Sequence, residues 1–169
     1  MTAFRQGVIA MMRVTGKALA AQRFLSGMAS SQLDELATTA SEVMFPAGHR
    51  IFAEGGYADK FWLVESGHIA VDMRVPGEGT AVIAHVGLGG LLGWSWNVPS
   101  HTWAFGAVCV TEVKAYEFNA SAVRARCAAD PALGAELITR LFQVVAGRLQ
   151  DTRSTLIARS TDAGLPAAL

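Results

Sequence analysis

Apolar positions along the chain fall into three regimes of different period. In residues 1 to about 40 they recur at helical spacing: Phe4, Val8, Met11 and Met12 share one face, and Leu33, Leu36 and Ala40 share another. This predicts helices through the first forty residues. Ser30 or Ser31 is the expected cap of the second, and Ser31-Gln-Leu-Asp34 has the spacing of a capping box. From about 43 to 118 the period becomes that of short strands, expected at 43–45, 50–53, 61–65, 68–75, 80–86, 104–110 and 113–118. Turn signals separate them: Pro46-Ala-Gly48, Gly55-Gly56, Ser66-Gly67, Pro76-Gly-Glu-Gly79, and a glycine cluster at Gly87, Gly89, Gly90 and Gly93. So many strands in one block, with helices only at the ends, favour a barrel or sandwich over alternating β and α units.

Beyond 118 the helical period returns. Asn119 is a good N-cap for a helix over 120–129, and Asp130-Pro131 restarts a second with proline in its first turn. Leu133, Leu137, Leu141, Val144, Val145 and Leu149 then form an apolar stripe. Its steps of three and four suit both packing on the barrel and a two-fold seam. The sequence therefore predicts a homodimer through Leu137, Leu141, Val144 and Val145, with Gly147 permitting close approach. The expected division is an N-terminal helical extension over 1–21, one domain over 22–158, and a flexible tail over 159–169.

Composition narrows the function classes. Of the 169 residues 51% are apolar and 17% charged, which excludes intrinsic disorder. Fourteen Lys and Arg balance fourteen Asp and Glu, so no overall field draws the chain to nucleic acid or acidic lipid. The start is nonetheless basic, with Arg5, Arg13, Lys17 and Arg23 and no acidic residue before Asp34. A membrane surface or a protein partner would suit it, but packing on the barrel is the favoured expectation. Cys109 and Cys127 lie in no metal or redox spacing and read as free thiols. No apolar run reaches the roughly 18 residues of a spanning helix, and a cytoplasmic location is expected.

The stretch from Phe45 to Val71 carries a resemblance. Its Pro46/Gly48 turn, its Phe52-x-Glu54-Gly55 turn and its strand ending in Ser66-Gly67 resemble the first half of a cyclic nucleotide-binding domain of the catabolite-activator-like regulators. The order of elements over about 22–158 is similar to that family. The resemblance implies a mainly β fold with flanking helices: a double-stranded β-helix or jelly-roll barrel of about eight strands, N-terminal helices and a long C-terminal helix. It also implies a phosphate-binding cassette after the middle glycines, in which a Gly-Glu pair and a following Arg hold the cyclic phosphate and ribose. Here Gly93 matches the glycine, Trp94 stands at the Glu, and Thr102 or Trp103 stands at the Arg.

No Lys or Arg lies between Arg74 and Lys114, so this segment offers a phosphate no guanidinium fork. Gly93, Trp94, Ser95, Trp96, Thr102 and Trp103 are the candidate pocket residues. The tryptophans have three roles open to them: filling the pocket, stacking on a flat ligand, or anchoring a partner. His49, His68, His85 and His101 include no His-x-His pair, so no metal set is expected, and no nucleophile arrangement or P-loop is present. The expectation is a non-enzymatic regulatory module with an altered, Trp-rich pocket and no cofactor, cyclic nucleotide being disfavoured. The alternative is a cyclic AMP or cyclic GMP receptor, or a small-ligand sensor of the transcription-regulator family, with an arginine arriving from elsewhere, Arg50 for example. Because only about ten residues follow the long helix, direct DNA binding is not expected. A protein partner is expected, if at all, on the N-terminal helix or the Trp cluster.

Overall fold

In the computed structural model, which describes residues 9–162, nine antiparallel strands form two facing sheets. The first runs β1 (Ile9–Arg13), β2 (Ala40–Phe45), β9 (Val113–Asn119), β4 (Lys60–Ser66) and β7 (Leu91–Leu92). The second runs β3 (Arg50–Phe52), β8 (Gly106–Cys109), β5 (Ile69–Val75) and β6 (Gly79–Val86). Helices α1 (Gly16–Ala20) and α2 (Ser30–Ala37) lie between β1 and β2; α3 (Ala120–Ala129) and the long α4 (Pro131–Asp162) follow the last strand. This is the jelly-roll-like arrangement with a long C-terminal helix that the resemblance implied.

Register explains where the core sits. Val43 lies opposite Ala115, Phe45 opposite Val113, Val64 opposite Ala115, and Trp62 opposite Glu117. Side chains alternate along a strand, so these share the face turned into the barrel, while Phe61, Leu63 and Phe118 take the other. Those three join Leu19, Leu36, Val123 and Leu133 in one apolar cluster. Burying each such side chain contributes roughly 1.5–3 kcal/mol. At Ser66-Gly67 the turn demands glycine, because Gly67 has φ +89 and a Cβ there would lie 2.1 Å from the Glu112 carbonyl oxygen.

The C-terminal caps follow the sequence closely. Asn119 accepts a hydrogen bond from the Ala122 amide at 2.9 Å, and Asp130 accepts from Ala132 and Leu133. Three expectations are corrected. Ile9–Arg13, read as helix, is a strand whose residue Ile9 pairs with Met44 and Arg13 with Ser41. The reason is tertiary: β2 would otherwise be a bare sheet edge, and unpaired backbone groups recruit a neighbour. Phe4, Arg5 and Val8 lie outside the described residues. Helix α2 begins one residue earlier than its serines suggest, with Ala29 at the cap and no side-chain cap bond. The two-residue β7 is too short to leave a period in the sequence.

The third correction concerns the stripe. Leu137 and Leu141 are buried against their own chain, with exposures of 3% and 8%, as is Leu133. Val144 and Val145 are half-buried. Among the apolar residues that α4 leaves uncovered, alongside Ile157, are Ile138, Phe142, Leu149 and Leu156. With Val145 and Thr152 they repeat in steps of four and three, which is the spacing of a two-helix seam. The barrel therefore covers the face of the helix that carries Leu133, Leu137 and Leu141.

Candidate functional site

The site is built where β7 ends. Gly93 has φ +85 and turns the chain into a short 3-10 helix, Trp94–Asn97. A Cβ at Gly93 would sit 2.9 Å from the ring of Trp103 and 3.3 Å from that of Trp62, so only glycine admits the two indoles. The main chain of Trp103 is pinned by the Gly55-Gly56 turn. Its amide donates to the Gly56 carbonyl at 2.8 Å, and its carbonyl accepts from the Gly55 amide at 2.8 Å. The Phe-x-Glu-Gly stretch singled out in the sequence is thus the clamp that holds this tryptophan inside the barrel.

Inside, aromatic rings are layered. Trp103 stacks on Phe52 with centroids 3.9 Å apart, and Phe52 stacks on Trp62 at 5.5 Å. The Trp62 indole N–H donates to Glu117 Oε2 at 2.9 Å, and Lys60 Nζ lies 2.7 Å from Glu117 Oε1. What space remains beside Gly93, Trp94, Ser95, Trp103, Phe52 and Phe105 is a cavity of about 20 Å³. That is room for about one water molecule. No Asp or Glu lines it among the described residues.

Four of the six expected pocket residues therefore meet. Trp96 and Thr102 do not. Trp96 turns to the helical side, stacks on Phe61 at 4.9 Å, and borders a separate cavity of about 80 Å³ against α3 and α4. Thr102 is exposed and its hydroxyl donates to Ser100 Oγ. Of the neighbours Thr102 and Trp103, only Trp103 reaches the barrel interior.

A cation does reach the cavity, and not the one suggested. Arg50 is engaged with Asp72 at 2.7 Å, beside Glu54 and Arg74, away from this space. The cavity is instead lined by Arg148 of α4, whose guanidinium donates to the Leu91 carbonyl. No carboxylate pairs with Arg148 among the described residues, and burial pulls its pKa below the ordinary arginine value. Phe52, Val71, Leu92, Phe105 and Arg148 are the lining residues that sequence reasoning missed. Arg148 lies 54 positions beyond Trp94, and only the alignment of α4 along the barrel brings the two together.

The histidines are scattered: His49 stacks on Phe45, His101 Nδ1 lies 3.0 Å from the Trp96 carbonyl oxygen, and His68 and His85 are exposed. Among the described residues no three His, Cys, Asp or Glu side chains are grouped as a metal site. Nor is any helix there long and apolar enough to cross a membrane. Burial raises the Cys109 thiol to about 11, so it stays protonated and poorly nucleophilic.

Comparison with known proteins bears on this geometry. Residues 42–130 match the family model of the cyclic nucleotide-binding domain. A CRP-like cAMP-activated global transcriptional regulator of Mycobacterium tuberculosis is 28% identical over 138 residues, covering 82% of this chain and 60% of the relative. The chain thus spans three fifths of the length of that curated relative. A cyclic nucleotide-binding domain from Methylobacillus flagellatus superposes with a TM-score of 0.81 at 16% identity, covering 94% of this chain and 93% of the other. The Thermus thermophilus catabolite activator protein superposes with a TM-score of 0.65 at 21% identity, over 81% of this chain and 62% of its own.

Proposed function

The chain belongs to the cyclic nucleotide-binding domain family, and from that premise we propose that it is a non-enzymatic regulatory module whose barrel pocket is filled by its own aromatic rings. The observation that carries this reading is Trp103 stacked at 3.9 Å on Phe52, leaving about 20 Å³ on the Gly93 side of the pair, while a cleft of about 340 Å³ lies on the side of Lys60 and Glu117. The Gly93 side falls far short of small-molecule sites, which run to about 300–1,000 Å³. The cavity also lacks a carboxylate for a ribose hydroxyl, because position 94 is Trp. That lost charged hydrogen bond, ~1.5–3 kcal/mol, removes roughly one to two decades of affinity for a cyclic nucleotide. Regulation is supported by the transcriptional regulator among its relatives.

The module works as a homodimer in this reading. Ile138, Phe142, Leu149 and Leu156 expose 56, 71, 50 and 59% of their surface along one line of α4, and a second copy of the same line buries them. Two helices meeting there leave both barrels outside the seam.

One observation favours a second reading, a receptor whose cation comes from the helix: Arg148 lines the cavity beside Gly93 and Ser95. Calorimetry with cyclic AMP and cyclic GMP separates the two. The filled-pocket reading expects no binding by the wild type and binding gained by Trp94→Glu combined with Trp103→Arg. Micromolar binding by the wild type, lost in Arg148→Gln, supports the receptor instead.

A further inference from the structure

The geometry points to a second site outside the barrel, a groove between α4 and the turn joining β6 to β7 that takes a small organic phosphate. The groove has a volume of about 600 Å³. Gly89, Gly90 and Leu91 form one wall; Arg140, Val144, Gly147 and Arg148 form the other; Arg23 and His85 stand at the rim. It shares Arg148 with the barrel cavity but does not rest on whether that cavity is filled.

Charge is the first argument. Three guanidiniums line the groove against one carboxylate, Asp151. Arg140 is satisfied, since its Nε donates to Glu136 at 2.7 Å and its Nη1 to the Phe24 carbonyl at 2.9 Å. Arg23 and Arg148 have no carboxylate partner among the described residues. With Arg140 paired to Glu136, Arg23 and Arg148 against Asp151 leave the lining one positive charge in excess, which an anion offsets. Arginine forks also match phosphate oxygens in bidentate geometry. Phe24, Leu91 and Val144 supply an apolar strip for the organic part.

The second argument is Gly147. A glycine inside a helix costs about 1 kcal/mol relative to alanine. No packing within the chain requires it, because a Cβ there would meet nothing within 4 Å. The dimer seam does not require it either: by helical period, position 147 falls opposite Phe142 and Leu149. What the missing side chain does is keep the wall of the groove at the level of the backbone, facing Gly89 and Gly90.

The probes are inorganic phosphate and ribose 5-phosphate, with free ribose as the uncharged control, titrated calorimetrically into the full chain at low salt. Ribose 5-phosphate is expected to bind with a Kd below about 1 mM, and to weaken as ionic strength rises. Free ribose is expected not to bind. Arg23→Gln, an exposed change, is expected to weaken binding about tenfold or more. Gly147→Leu is expected to abolish it while melting no lower than the wild type, which shows that the fold is intact and only the groove is filled. If neither inorganic phosphate nor ribose 5-phosphate binds the wild type, or if Gly147→Leu binds as well as the wild type does, the site is overturned.

Discussion

Replacing Trp103 by alanine tests the reading of the barrel interior most directly. The indole is 4% exposed, stacks on Phe52 at 3.9 Å and leans on Trp62 at 5.9 Å. Truncating a buried Trp typically costs ~3–5 kcal/mol, from lost transfer energy and from the cavity left behind. The stacked pair adds about 0.5–1.5 kcal/mol beyond area. At roughly 2–4 °C per kcal/mol for a domain of this size, melting should fall by about 6–20 °C. Circular dichroism followed through urea and thermal unfolding measures it. The variant also tests the reason for Gly93. Gly93→Ala collides with Trp103 and is strained at φ +85, costing about 1–3 kcal/mol in the wild type. In the Trp103→Ala background the collision with Trp103 disappears, leaving the 3.3 Å approach to Trp62 and the backbone strain, so the cost should shrink. A melting point lowered by less than about 2 °C, or an undiminished Gly93→Ala cost, would refute the idea that the indole fills the barrel.

Three further outcomes follow from other parts of the molecule. Phe142→Asp combined with Leu149→Asp should convert a dimer to a monomer by light scattering with little change in melting, because both side chains are exposed within one chain; a wild-type monomer at tens of micromolar refutes the seam. Asn119→Ala should cost about 1 kcal/mol in urea unfolding, through loss of the bond from the Ala122 amide; no change means the cap is idle. Cys109 should stay unlabelled by a thiol reagent at pH 8 until urea unfolds the chain. Its folded pKa of about 11 exceeds the ordinary 9.0, so the unfolded thiol ionises first and stability declines as pH rises between those values. Titrating stability over that window in Cys109→Ala should remove this part of the decline.

What the sequence determined is what local physics controls. Gly67 and Gly93 mark turns that only glycine can make, Asn119 and Asp130 mark helix starts, and turn signals bound strands such as 61–65 and 113–118. Those signals are carried by a few adjacent residues, so they survive without knowledge of partners. The absence of Lys and Arg from 75–113 likewise fixed in advance that the cassette segment supplies no cation of its own.

Only the tertiary structure decided the rest. Ile9–Arg13 becomes a strand because β2 offers it an edge, against a helical spacing that was present all the same. The stripe on α4 was legible as apolar, but Leu137 and Phe142 differ only in what lies across from them: the barrel buries one and leaves the other to solvent. Trp94, Trp96 and Trp103 look alike in sequence, yet one borders the cavity, one faces the helices, and one fills the barrel. Arg148 reaches the Leu91 carbonyl from 57 residues away, and the groove beside it exists only between α4 and a turn it never adjoins in the chain. Contacts of that separation depend on how whole elements pack, and no pattern within a window of residues encodes them.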